Sequence, residues 1–295
     1  MSGAARFLNL GCGARYHPDW TNIDIAAQGS EVIEHDLSRG IPLADASCAV
    51  VYHSAVLEHL RRSDAAAFLV ECHRVLRPGG VLRVAVPDLE AICRLYLSKL
   101  AAAAHGDAAA AHDYEWMLLE LLDQIVREKS GGGMQDYLGR DPMLNEAFVY
   151  DRIGEEGRAL VRLLRGTPVR RGRSPAAVSR KLARRLRALP AAARRRLSRV
   201  LLGARDRRAL QIGRFRLGGE VHQWMYDRYS LAQLLTEAGF VDPRLQQADT
   251  SQIPDWTNYN LDTLPDGRVV KPDLFFMEAV KPGAPIFGRD ATDTR

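Results

Sequence analysis

Cysteine is scarce: Cys12, Cys48, Cys72 and Cys93 are the only four in 295 residues. They are too scattered for a disulfide framework, and none falls at a C-x-x-C or Cys/His ligand spacing, so no metal site is expected. A reducing, cytoplasmic setting fits that usage. Long apolar runs are also missing, since no stretch approaches ~18 consecutive apolar residues, the length a membrane-spanning helix needs. The chain opens without a basic segment or a small-residue cleavage site, so a soluble protein without a signal peptide is expected. No internal repeat appears at a solenoid period. What is present is 46% hydrophobic and 26% charged residues, which favours a packed core over a disordered, collagen-like or rod-like chain. The length suits one large domain, or a medium one carrying an insertion.

Charge of one sign is unevenly placed. From Arg162 to Arg216 there are 19 Lys and Arg against a single acid, Asp206, whereas the rest of the chain holds 22 basic and 35 acidic residues. The net charge of +5 therefore hides an acidic body and one strongly basic block.

The first ninety residues alternate short apolar runs with polar or helical stretches, the pattern of a parallel sheet covered by helices. The expected strands are Arg6 to Leu10, Thr21 to Ile25, Glu31 to Glu34, Ala49 to His53 and Val81 to Val86. Between the last two, Ser63-Asp64 is expected to cap a helix through Phe68, Leu69, Cys72, Val75 and Leu76 that ends at Pro78-Gly79-Gly80. From Leu89 to about Arg216 the pattern turns helical. Ala-rich Lys99 to Ala111 leads into Asp113 to Arg127, whose apolar face is read as Trp116, Leu119, Leu122, Ile125 and Val126. Gly131-Gly132-Gly133 then breaks the chain. Two short cationic amphipathic helices are expected around Leu182, Leu186 and Leu189 and around Leu197, Val200 and Leu201, separated by Pro190. Afterwards Ser230 is expected to cap a helix stopping at Gly239, and Phe240 to Val241, Arg244 to Ala248 and Leu274 to Val280 supply two final strands. The chain divides into residues 1–90, a helical insertion over 91–218, and residues 219–295 that complete the first unit.

The most informative stretch is Phe7-Leu8-Asn9-Leu10-Gly11-Cys12-Gly13, an apolar strand running straight into a glycine turn. Such a turn lets the backbone approach a ligand closely at the carboxyl edge of a parallel sheet, where open α/β folds bind nucleotide-like molecules. A dinucleotide fingerprint needs a third glycine at position 16, which is Tyr16, and an acid about 20 residues on. Here Asp24 ends the next strand 13 residues after Gly11, which disfavours nicotinamide and flavin. A phosphate-binding G-x-x-x-x-G-K-[ST] loop is absent, so ATP and GTP are excluded.

Together with Asn22-Ile23-Asp24-Ile25, His35-Asp36-Leu37, the run Val50 to His59 and the run Val75 to Arg83, the glycine motif resembles the class I S-adenosylmethionine-dependent methyltransferases. The resemblance implies an α/β, doubly wound, Rossmann-like, mostly parallel seven-stranded sheet with a helical insertion after the fifth strand. It implies S-adenosylmethionine as cofactor, with Asn9, Gly11, Cys12 and Gly13 around its methionine and ribose parts. Asp24 would accept from both ribose hydroxyls with Ile25 beside it, Asp36 would receive the adenine amino group with Leu37 against the ring, and Ser54 would border the methionine moiety. The family's third glycine is Ala14, and only about ten residues join the first two strands, so the first crossover helix is expected to shrink to a turn. Segments such as Ser130 to Met134, Gly219 to Asp227 and Lys271-Pro272-Asp273 resemble a subgroup associated with bacterial glycan or polysaccharide biosynthesis.

Methyl transfer needs alignment and, for a hydroxyl acceptor, a general base. His222 is the preferred base because an imidazole titrates near neutrality, with Asp88 second. His53 and His59 are read as ordering the loop after the fourth strand, and Cys12 as a small residue packed behind the cofactor turn. The expected reaction is O-methylation of a sugar or small hydroxylated acceptor. The alternatives are a polyanion- or membrane-binding protein on the same scaffold, and an RNA methyltransferase. For the basic block, a solvated, partly disordered excursion or peripheral contact with an anionic membrane is favoured over nucleic acid. Only Phe215 supplies an aromatic between Arg162 and Arg216, which leaves too little for base stacking.

Overall fold

The computed structural model describes residues 6–27, 29–166 and 203–283. Its strands are β1 (Arg6–Leu10), β2 (Thr21–Asp24), β3 (Val32–Glu34), β4 (Cys48–Ser54), β5 (Leu76–Pro87), β6 (Val241–Gln246) and β7 (Leu274–Val280). They form one sheet in the order β3-β2-β1-β4-β5-β7-β6. The first five run parallel, and β7 is antiparallel to both β5 and β6. This is the mostly parallel, seven-stranded α/β architecture expected from the sequence. The helices are α1 (Arg62–Val75), α2 (Leu89–Ala104), α3 (Ala108–Val126), α4 (Gly132–Leu138), α5 (Glu146–Leu164), α6 (Ala204–Arg216) and α7 (Arg228–Glu237).

Because the central strands read as continuous apolar runs, both sheet faces are buried. One face carries Leu8, Leu10, Val51, Leu82, Val84 and Met277 against α1 and α7. The other carries Val50 and Tyr52, which pack with Trp20 and with Trp256 and Leu261 of the long loop between β6 and β7. That loop is tied down from β5. Fully buried Arg83 donates to Asp262 at 2.8 Å, to Glu278 at 2.9 Å and to the carbonyls of Thr250 and Gln247 at 2.8 Å. Its guanidinium also lies over Trp256, 4.4 Å from the ring centroid. A buried ion pair of this kind is costly to break, since the surviving charges would be left in a low dielectric.

No helix joins β1 to β2, as the short connection predicts. The link is stitched instead by side-chain amides: Asn22 donates to the carbonyls of His17 and Trp20, each at 2.9 Å, and Asn9 donates to the Arg15 carbonyl at 3.2 Å.

Several expected boundaries shift. The α1 helix begins at Arg62, and its N-cap, Arg61, makes no side-chain bond; Ser63 spends its hydroxyl on Asp64. Pro78-Gly79-Gly80 does not end that helix. It lies inside β5, whose pairing with β4 slips between Cys48 and Val50. The cap of α7 is Asp227, not Ser230. Ser230 is the third helical residue and closes a capping box, accepting from the Asp227 amide at 3.0 Å while the Asp227 carboxylate accepts from the amides of Tyr229 and Ser230.

The insertion helices have their own core of Ile92, Trp116, Met117, Tyr137, Leu138, Met143, Val149 and Val161. The buried face of α3 differs from the expected one, because Leu122 and Val126 are exposed while Glu120 and Asp123 are buried. Glu120 is drawn inward by Arg152 of α5, and Asp123 by Arg127 and the Gly133 amide. The cationic helices expected around Leu182 and Leu197 lie outside the described residues.

Candidate active site

The strand β1 delivers the chain to Gly11 and Gly13, both with positive φ, +63° and +52°. The Gly11 amide donates to the Ile23 carbonyl at 2.8 Å, holding the turn against the end of β2. A Cβ on Gly11 would stand 2.4 Å from Val56 Cγ2, whereas one on Gly13 would meet nothing within 4 Å. One glycine thus permits close packing, and the other leaves open space above the turn. Asp24 closes the arrangement: its Oδ2 accepts from the Gly13 amide at 2.8 Å and its Oδ1 from the Ala26 amide at 2.9 Å. Each carboxylate oxygen keeps acceptor capacity for a further donor.

Two cavities open on either side of this turn and share Gly11 and Ala55 in their walls. The first, about 540 Å³, is lined by Asp24, Ile25, Asp36 and Leu37, with His59 at its side. The second, about 480 Å³, is lined by Asn9, Cys12, Gly13 and Ser54, and on its far wall by Glu156 of α5 and Lys271 of the β6–β7 loop. All nine residues assigned from sequence to a cofactor line one cavity or the other.

Charge is arranged differently in the two. Asp36 is exposed, and the Ser38 hydroxyl and amide hold its carboxyl below the ordinary range. In the second cavity, Glu156 faces Arg15 at 3.6 Å and Lys271 at 3.4 Å. Glu156 reaches this position because α5 kinks at Gly154, where a Cβ would collide with the Val270 carbonyl at 2.4 Å. Burial, with the Asp24 charge beside it, pushes the Cys12 thiol up to about 11, so it packs behind the turn as a thiol and is no nucleophile.

The two residues expected to be catalytic stand elsewhere. Asp88 is the N-cap of α2, accepting from the Ala91 amide at 2.9 Å, and lines neither cavity. His222 is 4% exposed and also lines neither. Burial, with His59 close by, pushes its imidazole down to about 3, so it does not titrate near neutrality as expected. Its ring instead packs edge-on to His59, centroid to centroid 4.8 Å, and His59 does line the first cavity. Glu58 completes a group whose ligand atoms all lie within 4.8 Å of one another. Burial pushes the Glu58 carboxyl up to about 8 and lowers His59. Glu58 and His59 sit inside a motif visible in the sequence. His222 arrives from a distant segment, and no spacing rule connects it to them.

Residues 8–84 match the methyltransferase domain family. Over this quarter of its length the chain is similar to S-adenosylmethionine-dependent methyltransferases. A protein of Mycolicibacterium smegmatis named as a probable S-adenosylmethionine-dependent methyltransferase is 50% identical over 56 residues, 19% of this chain and 21% of that one. A Mycobacterium tuberculosis protein with a similar name is 47% identical over 58 residues, 20% of each chain. The match thus spans about a fifth of the length of these curated relatives. Among solved structures, an S-adenosylmethionine-dependent methyltransferase from Archaeoglobus fulgidus aligns over 95% of this chain and 87% of its own, at 10% identity and a TM-score of 0.36.

Proposed function

We propose that this protein is a methyltransferase that transfers a methyl group from S-adenosylmethionine to a hydroxyl of a sugar or other small hydroxylated acceptor. The observation that carries the reading is the coupling of Asp24 to the Gly13 amide at 2.8 Å, at the junction of two cavities. A carboxylate accepts from two vicinal hydroxyls with charge-assisted bonds, so Asp24 suits a ribose, with Ile25, Asp36 and Leu37 beside the base. The empty space over Gly13 gives the methionine moiety room next to Asn9, Cys12 and Ser54. Arg15, Lys271 and Glu156 offer charges of both signs to its zwitterionic end.

Bound there, the cofactor would supply an electrophilic methyl on a sulfonium, a good leaving group, for an acceptor hydroxyl that gives up its proton. The protein would align the acceptor beside Ala55, and of the Glu58–His59–His222 group only His59 lines the same cavity. Asp88 is left as a helix cap. The basic stretch, of which α6 and its Arg216 border the first cavity, serves recruitment to an anionic glycan or membrane surface. The test is transfer of isotopically labelled methyl from S-adenosylmethionine to a panel of nucleotide sugars, glycans and RNA. Label on a sugar oxygen is expected; label on RNA, or on none of them, contradicts the reading.

A further inference from the structure

Both carboxylate oxygens of Glu58 are buried and have no hydrogen-bond partner, in a residue only 1% exposed. His59 Nδ1 is likewise buried without a partner. Leaving such acceptors unpaired costs about 1–3 kcal/mol each, more when charged, so a fold that keeps three together has a missing partner to account for. The group is built by the backbone. The amides of Gln223 and Trp224 donate to the Glu58 carbonyl at 2.7 and 3.2 Å, and the His222 amide donates to the Gln124 carbonyl at 3.0 Å. These bonds clamp the segment 221–224 against the turn after β4 and bring His222 to Glu58 and His59.

We propose that Glu58, His59 and His222 bind one divalent transition-metal ion, of the zinc or cobalt type, in the wall of the crevice. Two imidazoles and one carboxylate are a donor set that borderline ions favour over magnesium or calcium, which prefer oxygen throughout. The donor atoms lie within 4.8 Å of one another. Around an ion with bonds of about 2.0–2.2 Å such edges shrink to roughly 3.3 Å, which asks each side chain to move inward by less than about an ångström. Three protein ligands would leave a coordination position open, and of the three His59 lines the first cavity. Of the nearby cations, Arg127 pairs through its terminal nitrogens with Asp123 at 2.7 Å and Glu220 at 3.2 Å while its Nε has no partner, and Lys271 pairs with Glu156 at 3.4 Å. On the methyltransferase reading, on which this role rests, the ion would lower the pKa of an acceptor hydroxyl in place of a basic imidazole. The hydroxyl proton then passes to water, and the oxygen takes the methyl.

The experiment is titration of the full chain, stripped with chelator, with Co(II) followed by visible absorption, and with Zn(II) by competition. One ion per chain is expected, with X-ray absorption showing nitrogen and oxygen ligands and no sulfur. Glu58→Gln and His222→Ala should each weaken binding by about a hundredfold or more, given that even outer-shell changes cost about 10–100-fold. Failure of the parent chain to take up one ion, sulfur in the coordination shell, or unchanged affinity in both variants overturns the proposal; the first two results hold even where a variant misfolds. Calorimetry with S-adenosylhomocysteine on the same metal-free sample separates the two readings. Cofactor binding without metal uptake removes this inference alone, whereas metal uptake without cofactor binding removes the proposed function.

Discussion

A glycine at position 11 is demanded twice, by a φ of +63° and by Val56 Cγ2, which would stand 2.4 Å from an added Cβ. Alanine there carries the left-handed penalty of about 1–2 kcal/mol and an overlap costing about 1–3 more. Gly11→Ala is therefore expected to lose about 2–5 kcal/mol in chemical denaturation, and adding Val56→Ala should return the overlap part but not the rest. Parental stability in Gly11→Ala would contradict this account of the turn. His53 poses a different residue-level problem. It is fully buried on β4 against Phe68, neither ring nitrogen has a partner, and burial pushes its imidazole down to about 3. Its unfolded form takes up a proton below about pH 6.5 while the folded form stays neutral. Stability is thus lost as pH falls from about 6.5 towards 3, by up to about 1.4 kcal/mol per pH unit for this group. His53→Leu should lose correspondingly less stability between pH 7 and pH 5; an unaltered pH dependence would show that the ring is not held neutral.

At the scale of elements, the loop between β6 and β7 covers a sheet face and lines the second cavity, and Arg83 is a main anchor of it, with four polar partners there and on β7. Arg83→Met leaves Asp262 and Glu278 buried without their cation, so a loss of about 3–5 kcal/mol is expected, together with proteolytic cutting within residues 247–273. Arg83→Lys should recover little, because an ammonium cannot reproduce the planar fork. Uncut, fully stable Arg83→Met protein would mean that the loop is held by its other contacts, such as Tyr52 donating to Asp262 and the Gln252 amide to Glu278. None of this was legible in the sequence, where Arg83 looks like one polar residue in an apolar strand and its partners lie about 180 residues away. The strands themselves were legible because their apolar runs are contiguous. The start of α7 was misplaced by three residues because Asp227 and Ser230 are both good caps, and only their mutual bonds decide between them.

For the molecule as a whole, the glycine turn and Asp24 could be read in advance because fourteen residues of local sequence contain both ends of the arrangement. The Glu58–His59–His222 group could not, since it exists only after the segment returning from the insertion docks on the turn behind β4. The far wall of the second cavity is likewise a product of docking, built from α5 and the β6–β7 loop. Yet the account of the whole rests on one carboxylate. Calorimetric titration of the full chain with S-adenosylhomocysteine, compared with Asp24→Ala and Asp24→Asn, examines it directly. The parent chain should bind one molecule. Asp24→Ala should bind about a hundredfold or more weakly, from two charge-assisted bonds worth about 1.5–3 kcal/mol each, and Asp24→Asn should fall between. Equal affinity in all three, or no binding by the parent chain, would contradict the account.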